Sequence, residues 1–196
     1  AVELTTGRAP DMSEMYSRLY NHAMTAPADG GGMVCYNYLA AEPVADVDGG
    51  CPMILRRRDS HPHLADFFRA QLYAAVAVIR MGMDILTERE GVTVTHLNAH
   101  GGLFKVPDVA ARCLADALHT PVSVSAAAGE GGAWGMALLA AYMKEHQGMA
   151  LEGWLEACVF GRVDKITSTP DPVRSQGFEA FYAAYQSSLP AQRALT

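Results

Sequence analysis

The sequence has little charge and no excess of basic residues. Fifteen Lys and Arg stand against 21 Asp and Glu, for a formal net charge of −6. The basic footprint of a nucleic-acid binder is missing, so we expect no nucleic-acid partner. The one basic run, Arg56-Arg57-Arg58, is short and reads as solvated surface beside a turn. Cysteine is sparse as well. Cys35, Cys51, Cys113 and Cys158 form no CxxC pair and no knuckle spacing, which argues against a zinc ribbon and a disulfide framework. They read as buried, reduced thiols of a cytoplasmic protein. We expect no secretory leader, because residues 1–8 lack an apolar core. We expect no membrane span either: the nearest apolar run, Gln71 to Met83, is bounded by Arg80 and Asp84. Internal repeats and low-complexity tracts are absent. The chain starts at Ala1 without a methionine, and we expect a piece of a longer or processed protein.

What is present suits a globular domain. Half of the 196 residues are hydrophobic and 18% are charged, enough to bury a core in one domain, residues 1–196. Met12, Met15, Tyr16, Leu19 and Tyr20 recur at helical spacing within Asp11 to Met24, with Asp11 or Ser13 as cap. Met33 to Leu39 and Met53 to Leu55 read as strands. No helix separates them, so an antiparallel pair is expected. The longest helix is expected from Pro62 to Glu88, capped by Ser60. Its stripe is Leu64, Phe67, Phe68, Leu72, Val76, Ile79, Met83 and Leu86.

The centre of the chain is Val92 to Leu139. It reads as strand (Val92 to Asn98), glycine corner (Gly101-Gly102), helix (Pro107 to Leu118), strand (Pro121 to Ser125), glycine loop (Gly129 to Gly132) and helix (Ala133 to His146). Leu151 to Phe160 reads as a short helix or turn, Ile166 to Asp171 as extended chain, and Pro172 to Leu189 as a last helix. Pro190 to Thr196 is expected to fray. The order is mixed α/β and does not alternate as a barrel would.

The two glycine corners follow successive strands, so they can line one cleft. Glycine leaves backbone amides open to a phosphate, and a helix amino end adds partial positive charge. The bland alternative is ordinary capping and tight strand–helix packing. An oxyanion loop at His100-Gly101-Gly102 would need a Gly-x-Ser-x-Gly elbow, which is absent. At Gly129 to Gly135 a dinucleotide fingerprint fails on spacing. His61, His63, His96 and His100 could suggest a metal hydrolase, but no further ligand stands at metal spacing, so no metal site is assigned.

Three stretches carry a resemblance: Asn98 to Lys105, Ala115 to Val122, and Glu130 to Ala140. They resemble the carboxy-terminal lobe of the FGGY carbohydrate kinases, which include xylulose, ribulose, glycerol and gluconate kinases. Met33 to Glu42, Ser60 to Leu86 and Pro170 to Leu189 add to the resemblance. It implies an actin-like, ribonuclease-H-like lobe with a mixed sheet and flanking helices. It also implies ATP and Mg²⁺, a sugar substrate such as xylulose or ribulose, and a missing amino-terminal lobe. Gly101 and Gly102 would approach the phosphates. Lys105 and Val106 would lie near the nucleotide, and Gly132 and Gly135 beside the adenosine. Lys105 reads equally well as a solvated helix-start lysine. Trp134 could wall the adenine or pack in the core, and Glu130 could orient the loop or be solvated. Asp116 reads as a packing or capping residue, and Tyr182 and Tyr185 as core or interface.

The family's catalytic carboxylate, in a Gly-x-x-Asp stretch, and its Thr-Gly-Thr hairpin lie upstream of the matching region. No catalytic residue is therefore assigned, and this segment alone is expected to be inactive. Thr5-Thr6-Gly7 only faintly echoes the hairpin, and Glu42 to Arg58 departs from the family's Arg-Thr-Pro and Ala-Arg-Gly pattern. The competing expectation is a non-catalytic actin-like module that binds nucleotide or a partner protein. A homodimer is the other partner considered.

Overall fold

A computed structural model describes residues 2–106, 108–125, 131–162 and 164–195. Pro107, Gly129 and Glu130, on which parts of the expected helix start and glycine loop fall, lie outside the described residues. The chain opens with a short exposed helix, α1 (Val2–Thr6), so Thr5-Thr6 forms no hairpin. Helix α2 (Met12–Ala23) is capped as expected: the Asp11 carboxylate accepts the Glu14 N–H at 3.0 Å. Three consecutive glycines, Gly30 to Gly32, then take positive φ values of 73°, 64° and 76°, a path other residues rarely follow.

Strand β1 (Met33–Tyr36) pairs antiparallel with β2 (Met53–Arg56), from Met33 opposite Arg56 to Tyr36 opposite Met53. The expected pair is there, with a shorter first strand. Arg56, Arg57 and Arg58 are exposed, as read.

Helix α3 (Leu64–Asp84) begins two residues later than expected. The Ser60 hydroxyl donates to the Arg57 carbonyl instead, and the Asp66 carboxylate accepts the His63 N–H at 2.6 Å. The expected stripe is only partly buried. Leu72 and Val76 are in the core, but Leu64, Ile79 and Leu86 are exposed. Ala65, Ala70, Ala74 and Ala77 supply the rest of the buried face together with Tyr73. Small side chains let β1, α2 and neighbouring helices approach the α3 backbone. A π-helical turn (Ile85–Arg89) continues the helix. Leu64–Arg89 is therefore long and apolar enough, by length and composition, to cross a membrane, which corrects the expectation that no such run exists. Here it is the helix against which the core is built.

Strand β3 (Leu97–Ala99) is shorter than the expected Val92 to Asn98. Its parallel partner β4 (Val122–Ser125) begins opposite Leu97, so residues 92–96 have no strand beside them among the described residues. Helix α4 (Val109–Leu118) lies between the two strands in sequence and is almost entirely buried. The third strand of this sheet was not expected as a strand. β5 (Lys165–Ser168) pairs antiparallel with β4. Between β4 and β5 run α5 (Gly131–Glu145) and α6 (Leu151–Cys158). α5 is apolar nearly all round, and none of its residues is buried; Met136 and Met143 are largely exposed.

Helix α7 (Pro172–Arg193) closes the chain and buries Phe178, Phe181, Tyr182, Tyr185 and Leu189. It does not fray at Pro190. Gln192 is wholly buried and donates to the Cys51 carbonyl at 2.7 Å, and Arg193 donates to the Ala45 carbonyl. These bonds hold the last turn to the loop between β1 and β2.

The start of α7 is fixed by α4. Asp116 is 1% exposed. One of its oxygens accepts the Asp171 N–H at 2.8 Å, and the other accepts Arg174 Nε at 2.6 Å. Asp116 is thus a packing residue, as read. Removing one partner of a buried pair strands the other. Asp116→Ala should lower stability to urea by about 3 kcal/mol; a loss within the ordinary surface range would contradict this role.

The cysteines divide by burial. All four are free; Cys35 and Cys113 are buried, Cys51 is half-buried and Cys158 is exposed. The uniform expectation of buried thiols is therefore corrected at Cys158. Burial pushes the Cys35 and Cys113 thiols from 9.0 up to about 11. Their raised folded pKa contributes stability that is fully present below pH 9 and is lost as the pH rises through about 11. A thiol reagent at mildly alkaline pH should label Cys158 in the folded chain and reach Cys35 and Cys113 only on unfolding. Peptide mapping of the labelled sites reads this directly.

Candidate functional site

The turn after β3 is built on one strained position. Gly101 sits at φ 114°, ψ 172°, a region essentially open only to glycine. It directs the chain into a 3-10 turn, Gly102–Lys105, closed by the Phe104 N–H donating to the Gly101 carbonyl at 3.0 Å. Val106 then buries its side chain at the edge of the core.

Across from this turn lies the first long helix. A groove of about 630 Å³ runs between Ser13, Tyr16, Ser17 and Tyr20 of α2 and Gly102, Leu103, Lys105 and Val106. Its volume is in the range of small-molecule and cofactor sites. Residues 13, 16, 17 and 20 follow the three-and-four spacing of one helix face. The Tyr16 and Tyr20 rings meet edge to face at 6.2 Å. Burial first, then the neighbouring Tyr16, raises the Tyr20 hydroxyl pKa. The groove thus offers two aromatic rings, two serine hydroxyls, a lysine and a turn with an uncluttered backbone. Its lining includes no carboxylate.

Three of the six expected nucleotide residues, Gly102, Lys105 and Val106, line this groove, and Gly101 adjoins them. Gly132 and Gly135 do not line it. They lie in the first turns of α5 with nothing within 4 Å of where a side chain would begin. Their neighbour Gly131 makes the link between the two glycine corners: a Cβ there would stand 2.8 Å from His100 Cβ. α5 therefore starts against the residue that precedes Gly101. Trp134 is half-buried and meets Phe160 edge to face at 6.0 Å, away from the groove.

The expected helix dipole is altered by its own cap. Asp108 precedes α4 with φ 68°, and its carboxylate pairs with Arg112 and accepts the Ser168 hydroxyl. A negative charge already stands at this amino end. The histidines do not converge on a metal. His61, His63, His96 and His100 are exposed, and no group of three or more His, Cys, Asp or Glu could hold an ion among the described residues.

The α2 face is what sequence reasoning missed. Tyr16 and Tyr20 looked like ordinary members of an apolar stripe. The available signal was Ser13 and Ser17 beside them at the same spacing, which makes that face amphipathic in an unusual way.

Residues 5–143 match a model of the "FGGY family of carbohydrate kinases, C-terminal domain". The chain belongs to the FGGY family. No curated protein matches it. Among solved structures it is similar to a xylulose kinase from Rhodospirillum rubrum, at 20% identity and a TM-score of 0.69, covering 99% of this chain and 37% of that one. It is also similar to a gluconate kinase from Lactobacillus acidophilus, at 16% identity and a TM-score of 0.70, covering 90% and 34%. A Plasmodium falciparum glycerol kinase, solved with ADP, aligns at 19% identity and a TM-score of 0.61, covering 88% and 34%. The fold is the actin-like lobe of these FGGY kinases, and the chain spans just over a third of the first relative's length.

In this FGGY lobe the two corner glycines have different reasons to be glycine. Gly101→Ala should cost about 1–3 kcal/mol of stability, because its backbone is strained for any side chain. Gly102 has a permitted φ and open space, so Gly102→Ala should stay within about 0.5 kcal/mol. Equal losses in urea unfolding would contradict the described turn.

Proposed function

We propose that this lobe holds ATP for a carbohydrate kinase, with the nucleotide in the groove between α2 and the Gly102 turn. The observation that carries the reading is that one groove gathers Gly102, Lys105 and Val106 opposite the Tyr16 and Tyr20 face. The aromatic face is suited to a purine, whose π-face stacks on side-chain rings. Gly101 and Gly102 would present amides to the phosphates, and Lys105 would add a positive charge. Gly132 and Gly135, at the start of α5, would lie on the far side of the same nucleotide.

In the whole enzyme, the γ-phosphoryl group would pass to a hydroxyl of a sugar, a pentulose such as xylulose or ribulose. The xylulose kinases among the similar structures support that choice of sugar. Phosphoryl transfer depends on positioning and charge stabilisation more than on covalent help. Positioning is what this lobe offers. It offers no general base in the groove. The base and the sugar site would come from an amino-terminal lobe, so residues 1–196 form one lobe of two and are inactive alone. The groove residues do not fit a Mg²⁺ site, since none is a carboxylate. The cation would rest on the phosphates, water and a group from elsewhere. We place the protein in the cytoplasm, either as a monomer or as a homodimer.

Gly102→Val tests the site without disturbing the fold, since no atom stands near its Cβ position. Titration calorimetry with ATP should show binding by the unaltered chain and an affinity at least about tenfold weaker in the variant. Absence of ATP binding by the unaltered chain, or equal affinity in the two, would favour the partner-binding module instead.

A further inference from the structure

A second cavity is lined in part by His100, the residue before Gly101, and shares no lining residue with the nucleotide groove. It arises from the register of β3, β4 and β5. Asn98 is opposite Ser123, Ser123 opposite Thr167, and Ser125 opposite Lys165. Paired residues share a face of a sheet, and alternate residues along a strand return to it. Asn98, Ser123, Ser125, Thr167 and Lys165 therefore form one continuous polar face. The opposite face carries Leu97, Ala99, Val122 and Val124, which join the core, and Ile166, which is exposed.

A polar sheet face is unremarkable when water covers it. Here Glu156 of α6, Phe160 and His100 border a cavity of about 170 Å³ beside Asn98, Ser123, Ser125 and Lys165, with Asn98, His100, Glu156 and Lys165 still reaching solvent. Ser123 is buried and shares a 2.6 Å hydrogen bond with Thr167. Ser125 Oγ is inaccessible and has no hydrogen-bond partner among the described residues. A buried hydroxyl left unpaired costs about 1–3 kcal/mol. Lys165 Nζ stands over the Phe160 ring at 5.2 Å, and neither Lys165 nor Glu156 makes an ion pair among the described residues.

The lining defines the ligand. Serine and asparagine both donate and accept, the ammonium only donates, and the carboxylate only accepts. The Lys165 ammonium and the Glu156 carboxylate offset each other, and the His100 imidazole beside them adds a further hydrogen-bonding group. We propose that the chamber binds a small uncharged polyol, with hydroxyls bridging Ser125, Asn98, Lys165 and Glu156. Its volume suits three to five carbons and excludes a nucleotide. The site is separate from ATP binding and does not depend on the kinase reading.

The test is a titration of the isotopically labelled chain with glycerol, erythritol and xylitol, followed by amide NMR. The proposal expects saturable shifts at Asn98, Ser125 and Lys165 with a Kd of about 10 mM or tighter for at least one polyol. Ser125→Val fills the chamber on a strand that favours β-branched residues, and should weaken that Kd at least about tenfold. Lys165→Met, at an exposed strand end, provides the same reading should Ser125→Val disturb the fold. Non-saturable shifts, or an unchanged Kd in both variants, would overturn the site. Saturable binding of inorganic phosphate without polyol binding would overturn the assignment of an uncharged ligand.

Discussion

Asp116 is nearly inaccessible on α4, and both of its carboxylate oxygens are committed to α7. One holds the backbone where α7 begins and the other holds Arg174, a turn further on. This fixes the angle at which α7 leaves the sheet. The aromatic row from Phe178 to Tyr185 is thereby laid against the core, where Tyr73 meets Phe178 and Phe181. At the far end, Tyr36 donates to the Tyr185 carbonyl, and Gln192 and Arg193 reach the β1–β2 loop. Gly177, in the second turn of the helix, allows it to pass Ala28, whose backbone would stand 2.5 Å from any Cβ there. The same α4 also packs against the Gly102–Lys105 turn and β4.

Much of this frame was legible in the sequence because it is written in local signals. Asp11 announces α2, the turn residues around Met33 and Met53 announce a hairpin-like pair, and Gly101-Gly102 marks the end of a strand. What was not legible depends on neighbours distant in sequence. Residues 92–96 have strand composition but no partner strand among the described residues, since β4 begins only opposite Leu97. Lys165 to Ser168 has modest strand character and becomes a strand because β4 offers an open edge. Pro190 looked like a helix stop, yet the buried Gln192 draws the helix past it. In α3 the large apolar residues seemed the natural core face, but close packing selected the alanines.

The candidate site divides along the same line. Gly101 and Gly102 stood out because they follow a strand and open a turn, and Lys105 and Val106 were named only through the family resemblance; Gly102, Lys105 and Val106 line the groove. Tyr16 and Tyr20 did not stand out, since only the tertiary fold sets α2 opposite that turn. The paired aromatic and serine face of α2 gives the corner an opposing wall, and so turns an open loop into a groove of nucleotide size. Asp108, at the start of α4, places a carboxylate paired with Arg112 at that helix end, so in the proposed reading attraction for phosphate would come from backbone amides and Lys105.

The most direct test of the central claim is photo-crosslinking with an azido-substituted adenine nucleotide, followed by mass-spectrometric mapping of the adduct. The account predicts labelling at Tyr16 or Tyr20, suppressed by excess ATP. Labelling confined to residues outside α2 and the Gly102–Val106 turn, or labelling that ATP does not suppress, would contradict it.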